Sequence, residues 1–317
     1  MRVKKEANGE PASGEPTIVP GRVATVRVFV VGSRGQLGHE LMRAAWPAGT
    51  ALVGADLPEL DLTQPDAIAR AVRGHAADIV VNAAAYTAVD KAESERDLAF
   101  RVNADGPHTL AKLGLPLVHV STDYVFDGQK QGPYVEDDPI APLGVYGASK
   151  AAGERAVADT LPRHLILRTS WVYAAHGANF VRTMIRLSKE RDVLSVVADQ
   201  HGRPTSAREL ARTIVALAPR MVARDFDRWG TYHFAGAGET TWHGLASEVI
   251  ARAAPYTGKT PEIRAIRTED YPTPAKRPAN SILDTHKFER AFGLPLMPWQ
   301  ASVAEVVGEL LGEKEIP

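Results

Sequence analysis

The chain contains no cysteine. That excludes disulfides, thiolate catalysis and Cys-ligated zinc, and it agrees with a cytoplasmic setting. It also lacks any apolar stretch near the roughly 18 residues that a membrane span needs, so no membrane partner is expected. Net charge is almost lacking: 37 Lys and Arg against 38 Asp and Glu leave −1. Such a balance carries no electrostatic footprint for nucleic acid or an anionic membrane, while leaving room for a locally basic pocket. The ten histidines show no metal-ligand spacing such as HExxH, and His201 and His243 read as structural or surface residues. There is no internal repeat. Residues 1 to about 25 start basic and continue polar and rich in Gly and Pro, without an apolar secretory segment. They read as a disordered leader outside the fold.

What is present is an ordinary globular composition of 317 residues, 44% hydrophobic and 24% charged, enough to bury a substantial core. Val26 to Val31 is a continuous β-branched run, the mark of a strand buried on both faces. Further strands are predicted at Thr50 to Asp56, Asp78 to Asn82, Leu115 to Ser121 and Leu165 to Thr169. Helices are predicted between them at His39 to Ala45, Gln64 to Arg73, Ala92 to Leu113 and Ser149 to Thr160. Strict alternation of this kind predicts an α/β fold with a doubly wound parallel sheet of Rossmann type. After about residue 172 the rhythm changes. Helices are predicted at Asn179 to Lys189, Ala207 to Ala218 and Trp242 to Ala253, and strands at Val193 to Val197 and Gly230 to Ala235. A Pro-rich loop follows at Tyr271 to Pro278, and a last helical region starts at Leu283 to Phe292. The expected organisation is a dinucleotide-binding domain at 26–172 and 194–230. A smaller, interwoven substrate lobe takes 173–193 and 231–317.

Directly after the first strand stand Gly32, Gly35 and Gly38, spaced GxxGxxG ahead of a helix. Glycines there let the backbone turn tightly and approach a pyrophosphate at the helix N-terminus, where free N–H groups and the helix dipole favour anions. Asp56, at the end of the second strand, is placed to accept hydrogen bonds from an adenosine ribose. Arg34, between the glycines, is placed to pair with a ribose 2′-phosphate. The two pull in opposite directions. The cofactor is therefore read as NADPH, with NADH left open.

Tyr146-Gly-Ala-Ser-Lys150 puts a phenol and an ammonium four residues apart on one helix face. A nearby ammonium favours a phenolate, and Tyr becomes a usable proton donor to a carbonyl receiving hydride. Thr122 follows the fourth strand at its carboxyl end, where doubly wound folds place their ligands. Trp171 and Tyr173 offer aromatic faces to a sugar or base. Arg277, in the Pro-rich loop, offers a fork to a diphosphate.

Ser/Thr, then Tyr, then Lys behind a GxxGxxG turn resembles the extended short-chain dehydrogenase/reductases. The segments GSRGQLG (Gly32 to Gly38), VNAAAYTAVDKAE (Val81 to Glu93), STDYVFDG (Ser121 to Gly128) and YGASKAAGE (Tyr146 to Glu154) sharpen this. So do LRTSWVY (Leu167 to Tyr173), NFVRTMIRL (Asn179 to Leu187), DQHGRPT (Asp199 to Thr205) and YPTPAKRPANSILDT (Tyr271 to Thr285). Together they resemble the dTDP-4-dehydrorhamnose reductase family over nearly the whole chain. The resemblance implies reduction of the C4 keto group of dTDP-4-dehydro-6-deoxy-L-mannose by a reduced nicotinamide. It implies a catalytic trio of Thr122, Tyr146 and Lys150, with Lys150 also on the nicotinamide ribose. It implies a pyrophosphate turn at Gly35, Gln36 and Leu37, adenosine neighbours at Asp56, Asp61 and Leu62, and a cofactor-facing strand end at Ala83, Ala84 and Ala85. Asp123, Tyr124 and Trp171 are implied as substrate contacts. Some members bind Mg2+ at a subunit contact through glutamates. Glu40 matches one such position, but no second acid is clearly kept near Arg208 and Glu209, so no metal is expected. A homodimer is the expected assembly.

Two alternatives stand beside this. A dehydratase or epimerase of another nucleotide sugar uses the same fold, but dehydratases typically carry Thr-Asp-Glu where this chain has Thr122-Asp123-Tyr124. A non-catalytic, cofactor-binding regulatory subunit, like the β subunit of methionine adenosyltransferase, is opposed by the intact trio.

Overall fold

In a computed structural model the described residues are 25–312. The expected leader falls almost wholly outside them. In chain order the elements are β1 (Val26–Val31), α1 (Gln36–Arg43), β2 (Thr50–Ala55), α2 (Pro65–Gly74), β3 (Ile79–Asn82), α3 (Val89–Ala92), α4 (Arg96–Phe100) and α5 (Gly106–Ala111). Then come β4 (Leu117–Thr122), α6 (Val145–Thr160), β5 (His164–Thr169), β6 (Val172–Tyr173), α7 (Phe180–Glu190), β7 (Val193–Val197), β8 (His201–Gly202), β9 (Thr205–Ser206) and α8 (Ala207–Met221). The chain closes with β10 (Gly230–His233), β11 (Thr240–Thr241), α9 (Trp242–Thr257), β12 (Glu262–Ile266), β13 (Asn280–Ser281), α10 (His286–Phe292) and α11 (Trp299–Gly312).

Six strands form one wholly parallel sheet in the order β10-β5-β4-β3-β1-β2. The apolar runs seen in the sequence are buried because both faces are covered. On one face Phe29, Val31, Val80, Leu117 and Ile166 pack with Ile68 of α2, Leu110 of α5 and Val157 of α6. On the other, Val28, Val30, Val81 and Leu165 pack with Leu41 of α1, Ile214 of α8 and Phe288 of α10. A separate apolar cluster unites α7, α9 and α11 through Val181, Ile185, Leu245, Val249, Trp299 and Val303. Beside it lie short sheets pairing β12 with β7, β6 with β9, and β8 with β11 and β13.

Where one long helix is expected at Ala92 to Leu113, the chain breaks into α4, a π turn at Arg101–Asp105, and α5. The reason is a crossing: a Cβ on Gly153 of α6 would lie 2.0 Å from the Asn103 carbonyl oxygen, so the two helices touch backbone to backbone there. Among the described residues no helix is long and apolar enough to cross a membrane.

Candidate active site

β1 has β2 on one side and β3 on the other, so the strand order reverses at β1. Such a switch point leaves a crevice at the carboxyl ends of the strands. Here it opens into a cleft of about 790 Å³. The cleft is lined by Gly32, Arg34, Gly35, Gln36 and Leu37 of the turn, and by Asp56, Asp61 and Leu62. Ala83, Ala84 and Ala85 follow, then Thr122, Asp123, Tyr124, Tyr146, Lys150 and Trp171. Of the catalytic, cofactor and substrate candidates selected from sequence, only Gly38, Tyr173 and Arg277 are not on its wall.

The phosphate turn is built by sterics. Gly32 has φ +81°, and a Cβ there would come 2.6 Å from the Ala84 nitrogen; one on Gly38 would come 1.9 Å from the Gly32 carbonyl oxygen. Gly38 therefore shapes the turn from behind. Gly35 precedes α1 with no side-chain cap, and no acid stands in the first turn, so the first N–H groups are left for an anion. The alanine segment is fixed by Asn82, whose Oδ1 accepts from the Ala84 N–H (3.2 Å) while its Nδ2 lies 3.0 Å from His119 Nδ1. Burial drives the His119 pKa well down, so the imidazole is neutral.

Arg34 and Asp56 do not oppose each other as the sequence suggests. The Asp56 carboxylate accepts from the backbone N–H of Arg34 (2.9 Å) and of Leu57 (2.8 Å). The guanidinium turns outward, donating to the Leu57 carbonyl (2.6 Å) and pairing with Glu59 (2.7 Å), with most of its surface exposed.

At the chemical end, Thr122 closes β4 and its Oγ1 donates to Asp123 Oδ1 (2.9 Å). Burial pushes the Tyr146 phenol up to about 12, with the Thr122 hydroxyl pulling the other way. The sequence suggests Lys150 as the group that draws this phenol down; in the structure burial wins. Lys150 is itself buried, donates to the Val120 carbonyl (2.7 Å), and is lowered to about 8 by desolvation. Burial raises Asp123 to about 6.

Trp171 holds φ +49°, a strained backbone for a non-glycine residue. The strain aims its indole at Trp242, stacked at 3.7 Å and 11°. Arg277 grips Asp90 of α3 with both arms, at 3.1 and 2.9 Å. It thereby pins the Pro-rich loop beside Tyr124. Tyr173 is in the core, its hydroxyl donating to the Trp299 carbonyl (3.3 Å).

Several site residues escaped sequence reasoning. Ser121 and Thr169 sit at the ends of β4 and β5 on the cleft wall. Their hydroxyl oxygens, with Asp123 Oδ2, are buried without a hydrogen-bond partner in the protein. Three orphaned oxygens at one cleft floor call for a polar ligand. Trp242 gives no local signal; only the stack reveals it. Asn103 sits behind the wall, its Nδ2 donating to Tyr86 O and Ser149 Oγ, both at 3.0 Å. Glu93 accepts from the Val145 N–H (2.8 Å) and so caps the helix that carries Tyr146.

The cleft thus fits a dinucleotide: a side-chain-free turn at a helix N-terminus, a small-residue strand end, and a polar floor. Mg2+ does not fit near Glu40. That carboxylate lies 3.4 Å from Arg208 Nε and 3.5 Å from His176 Nδ1, and Arg208 also binds Glu309. Among the described residues no group of three or more His, Asp or Glu side chains could hold a metal ion.

Comparison with known proteins agrees. The family model for the RmlD substrate binding domain matches residues 26–311. The dTDP-4-dehydrorhamnose reductase of Sinorhizobium fredii is 45% identical over 293 residues, covering 91% of this chain and 99% of that protein. The crystal structure of a dTDP-4-dehydrorhamnose reductase from Clostridium acetobutylicum superposes with a TM-score of 0.83 at 36% identity, over 90% of this chain and 99% of the other. The Bacillus anthracis dTDP-4-dehydrorhamnose reductase, solved in complex with NADP, gives the same values. The cleft, its ordered Thr-Tyr-Lys trio and these likenesses over nine-tenths of the chain place the protein in the dTDP-4-dehydrorhamnose reductase family.

Proposed function

We propose that the protein reduces the C4 keto group of dTDP-4-dehydro-6-deoxy-L-mannose to give dTDP-L-rhamnose, with NADPH as reductant. The observation that carries this is the convergence of the phosphate turn and the Thr122, Tyr146 and Lys150 trio on one cleft.

When bound, the reduced nicotinamide supplies the hydride. The α1 N-terminus at Gly35, Gln36 and Leu37 would hold its pyrophosphate. Arg34 favours NADPH over NADH: its pair with Glu59 is exposed and therefore weak, so a 2′-phosphate competes for the guanidinium. Asp56, already satisfied by two backbone N–H groups, has less charge left to oppose that phosphate.

A phenol at about 12 is fully protonated at neutral pH, the state that a reductase needs at the start. Tyr146 donates that proton to the C4 oxygen. The Thr122 hydroxyl beside Tyr146 favours the phenolate that remains by turning its one proton from Asp123 to Tyr146. Lys150, buried on the next turn of α6, would grip the nicotinamide ribose and add positive charge beside the same phenolate. Trp171, Tyr124 and Asp123 shape the sugar end. The reading includes a substrate lobe built on α7, α9 and α11, and a homodimer, which light scattering checks.

The direct test is loss of reduced-nicotinamide absorbance on adding dTDP-4-dehydrorhamnose, with NADPH and NADH in parallel. Rapid oxidation yielding dTDP-rhamnose, faster with NADPH, is expected. A Tyr146→Phe variant should lose roughly 10²- to 10⁴-fold in kcat while still binding NADPH. Near-normal turnover by that variant overturns the mechanism. A protein that binds NADPH but reduces only a sibling keto-sugar overturns the substrate assignment.

A further inference from the structure

The loop between β6 and α7 takes hold of the cofactor turn at a single residue, Gln36. Asn179 Nδ2 donates to Gln36 Oε1 at 3.0 Å. His176 Nε2 lies 2.9 Å from the Gln36 carbonyl oxygen; a carbonyl only accepts, so this ring nitrogen carries the proton. The His176 ring is itself held, packed against His39 of α1 with centroids 3.8 Å apart and the planes tilted by 40°. Asn179 is anchored from its other side. Its Oδ1 accepts from the Arg182 N–H (3.0 Å) as the N-cap of α7, and its Nδ2 also reaches the Ala174 carbonyl (2.8 Å). Between the two anchors, Gly177 and Ala178 line the cleft.

Gln36 is the first residue of α1, a helix whose N-terminus lacks a side-chain cap of its own. Its orientation decides where the anion-binding N–H groups point. In this structure that orientation is set from the lobe on the far side of the cleft, by a helix cap that serves two elements at once. Preorganising a binding group in this way strengthens affinity without any new contact to the ligand.

We propose that Asn179, assisted by His176, is a positioning residue that latches Gln36 and thereby makes cofactor affinity depend on the β6–α7 loop. The proposal rests on reading the turn as the NADPH cradle. The variant Asn179→Ser keeps the cap, because Ser caps a helix about as well as Asn. It removes the amide that bonds Gln36 together with its bonds to the Ala174 and His176 carbonyls, so the latch is Gln36 and these two loop contacts taken as one unit. NADPH fluorescence titration should show binding about three- to tenfold weaker, the size of one lost hydrogen bond. KM for NADPH should rise more than kcat falls, and the melting temperature without NADPH should stay near the wild-type value. Should this variant fail to fold, His176→Leu carries the same test, and His176→Gln, which keeps a donor, should recover part of the loss. NADPH binding by a folded variant as tight as wild type overturns the latch alone. A wild-type protein that does not bind NADPH overturns the reading of the turn, and the latch with it.

Discussion

The helix that carries Tyr146 and the small lobe across the cleft are fastened by opposite means. α6 is locked to β5 by a buried ion pair: Arg168 meets Glu154 at 2.7 to 3.1 Å through Nε and Nη2, both side chains about 95% buried. The Arg168 Nη1 continues to the Glu136 carbonyl (3.1 Å). In the lobe, the charges around β12 pair at the surface: Arg264 with Glu262, Arg267 with Glu269, Lys259 with Asp192. Its cohesion comes instead from the apolar cluster of α7, α9 and α11 and from the Trp171–Trp242 stack. A buried charge tolerates only one geometry, whereas an apolar face can slide and an exposed pair can re-form. On the proposed reading the chemistry rests on the unyielding half, and substrate accommodation on the adjustable one.

That contrast can be broken by mutation. The largest effect is expected from Glu154→Gln, which strands a buried guanidinium: about 3–5 kcal/mol lost in urea unfolding, with turnover falling as α6 loosens. Next comes Asp123. Its folded pKa of about 6 lies above the ordinary 3.8, so the folded state holds the proton more tightly. Stability should fall as pH rises from about 4 to about 6, by about 3 kcal/mol, and stay level above. The difference between wild type and Asp123→Asn across that window isolates the step; a flat difference would refute it. Smaller is Trp242→Leu, which removes a stack of about 0.5–1.5 kcal/mol beyond simple burial. It should raise the KM for the sugar nucleotide while leaving NADPH binding unchanged. Arg264→Ala, on a fully exposed pair, should leave the melting temperature where it was.

The same contrast governs what could be read from the chain. The parallel sheet announces itself because buried strands are written in unbroken apolar runs such as Val26 to Val31. The phosphate turn announces itself because only glycine survives its close approaches. α1 begins three residues before the expected His39, since its first turn is glycine-capped and carries a single apolar residue, Leu37, too few to show a helical period. β12 left no trace: Glu262–Ile266 alternates charges with half-exposed residues and becomes a strand only by pairing with β7. Arg277 was legible as a functional-looking residue. Its partner Asp90 lies 187 positions away, a distance no local pattern spans. The trio could be named from order and spacing, but the rise of Tyr146 and the orphaned Ser121 and Thr169 oxygens come from burial, which exists only once the sheet has closed.

The way the two faces of the sheet are covered also sets a schedule. The face beneath α2, α5 and α6 is sealed by segments that lie between its own strands. On the opposite face only α1 lies between the strands; the rest of its cover, α8 and α10, comes dozens of residues and more beyond β5. At ribosomal rates of about 5–20 residues per second, a nascent chain carries a half-dressed sheet for several seconds. During that interval Val28, Val30, Val81 and Leu165 have only α1 to cover them and are partly open to anything sticky nearby. A chaperone that binds apolar strands has its window there, and a chain cut short after β5 would leave the ribosome with that surface covered by α1 alone.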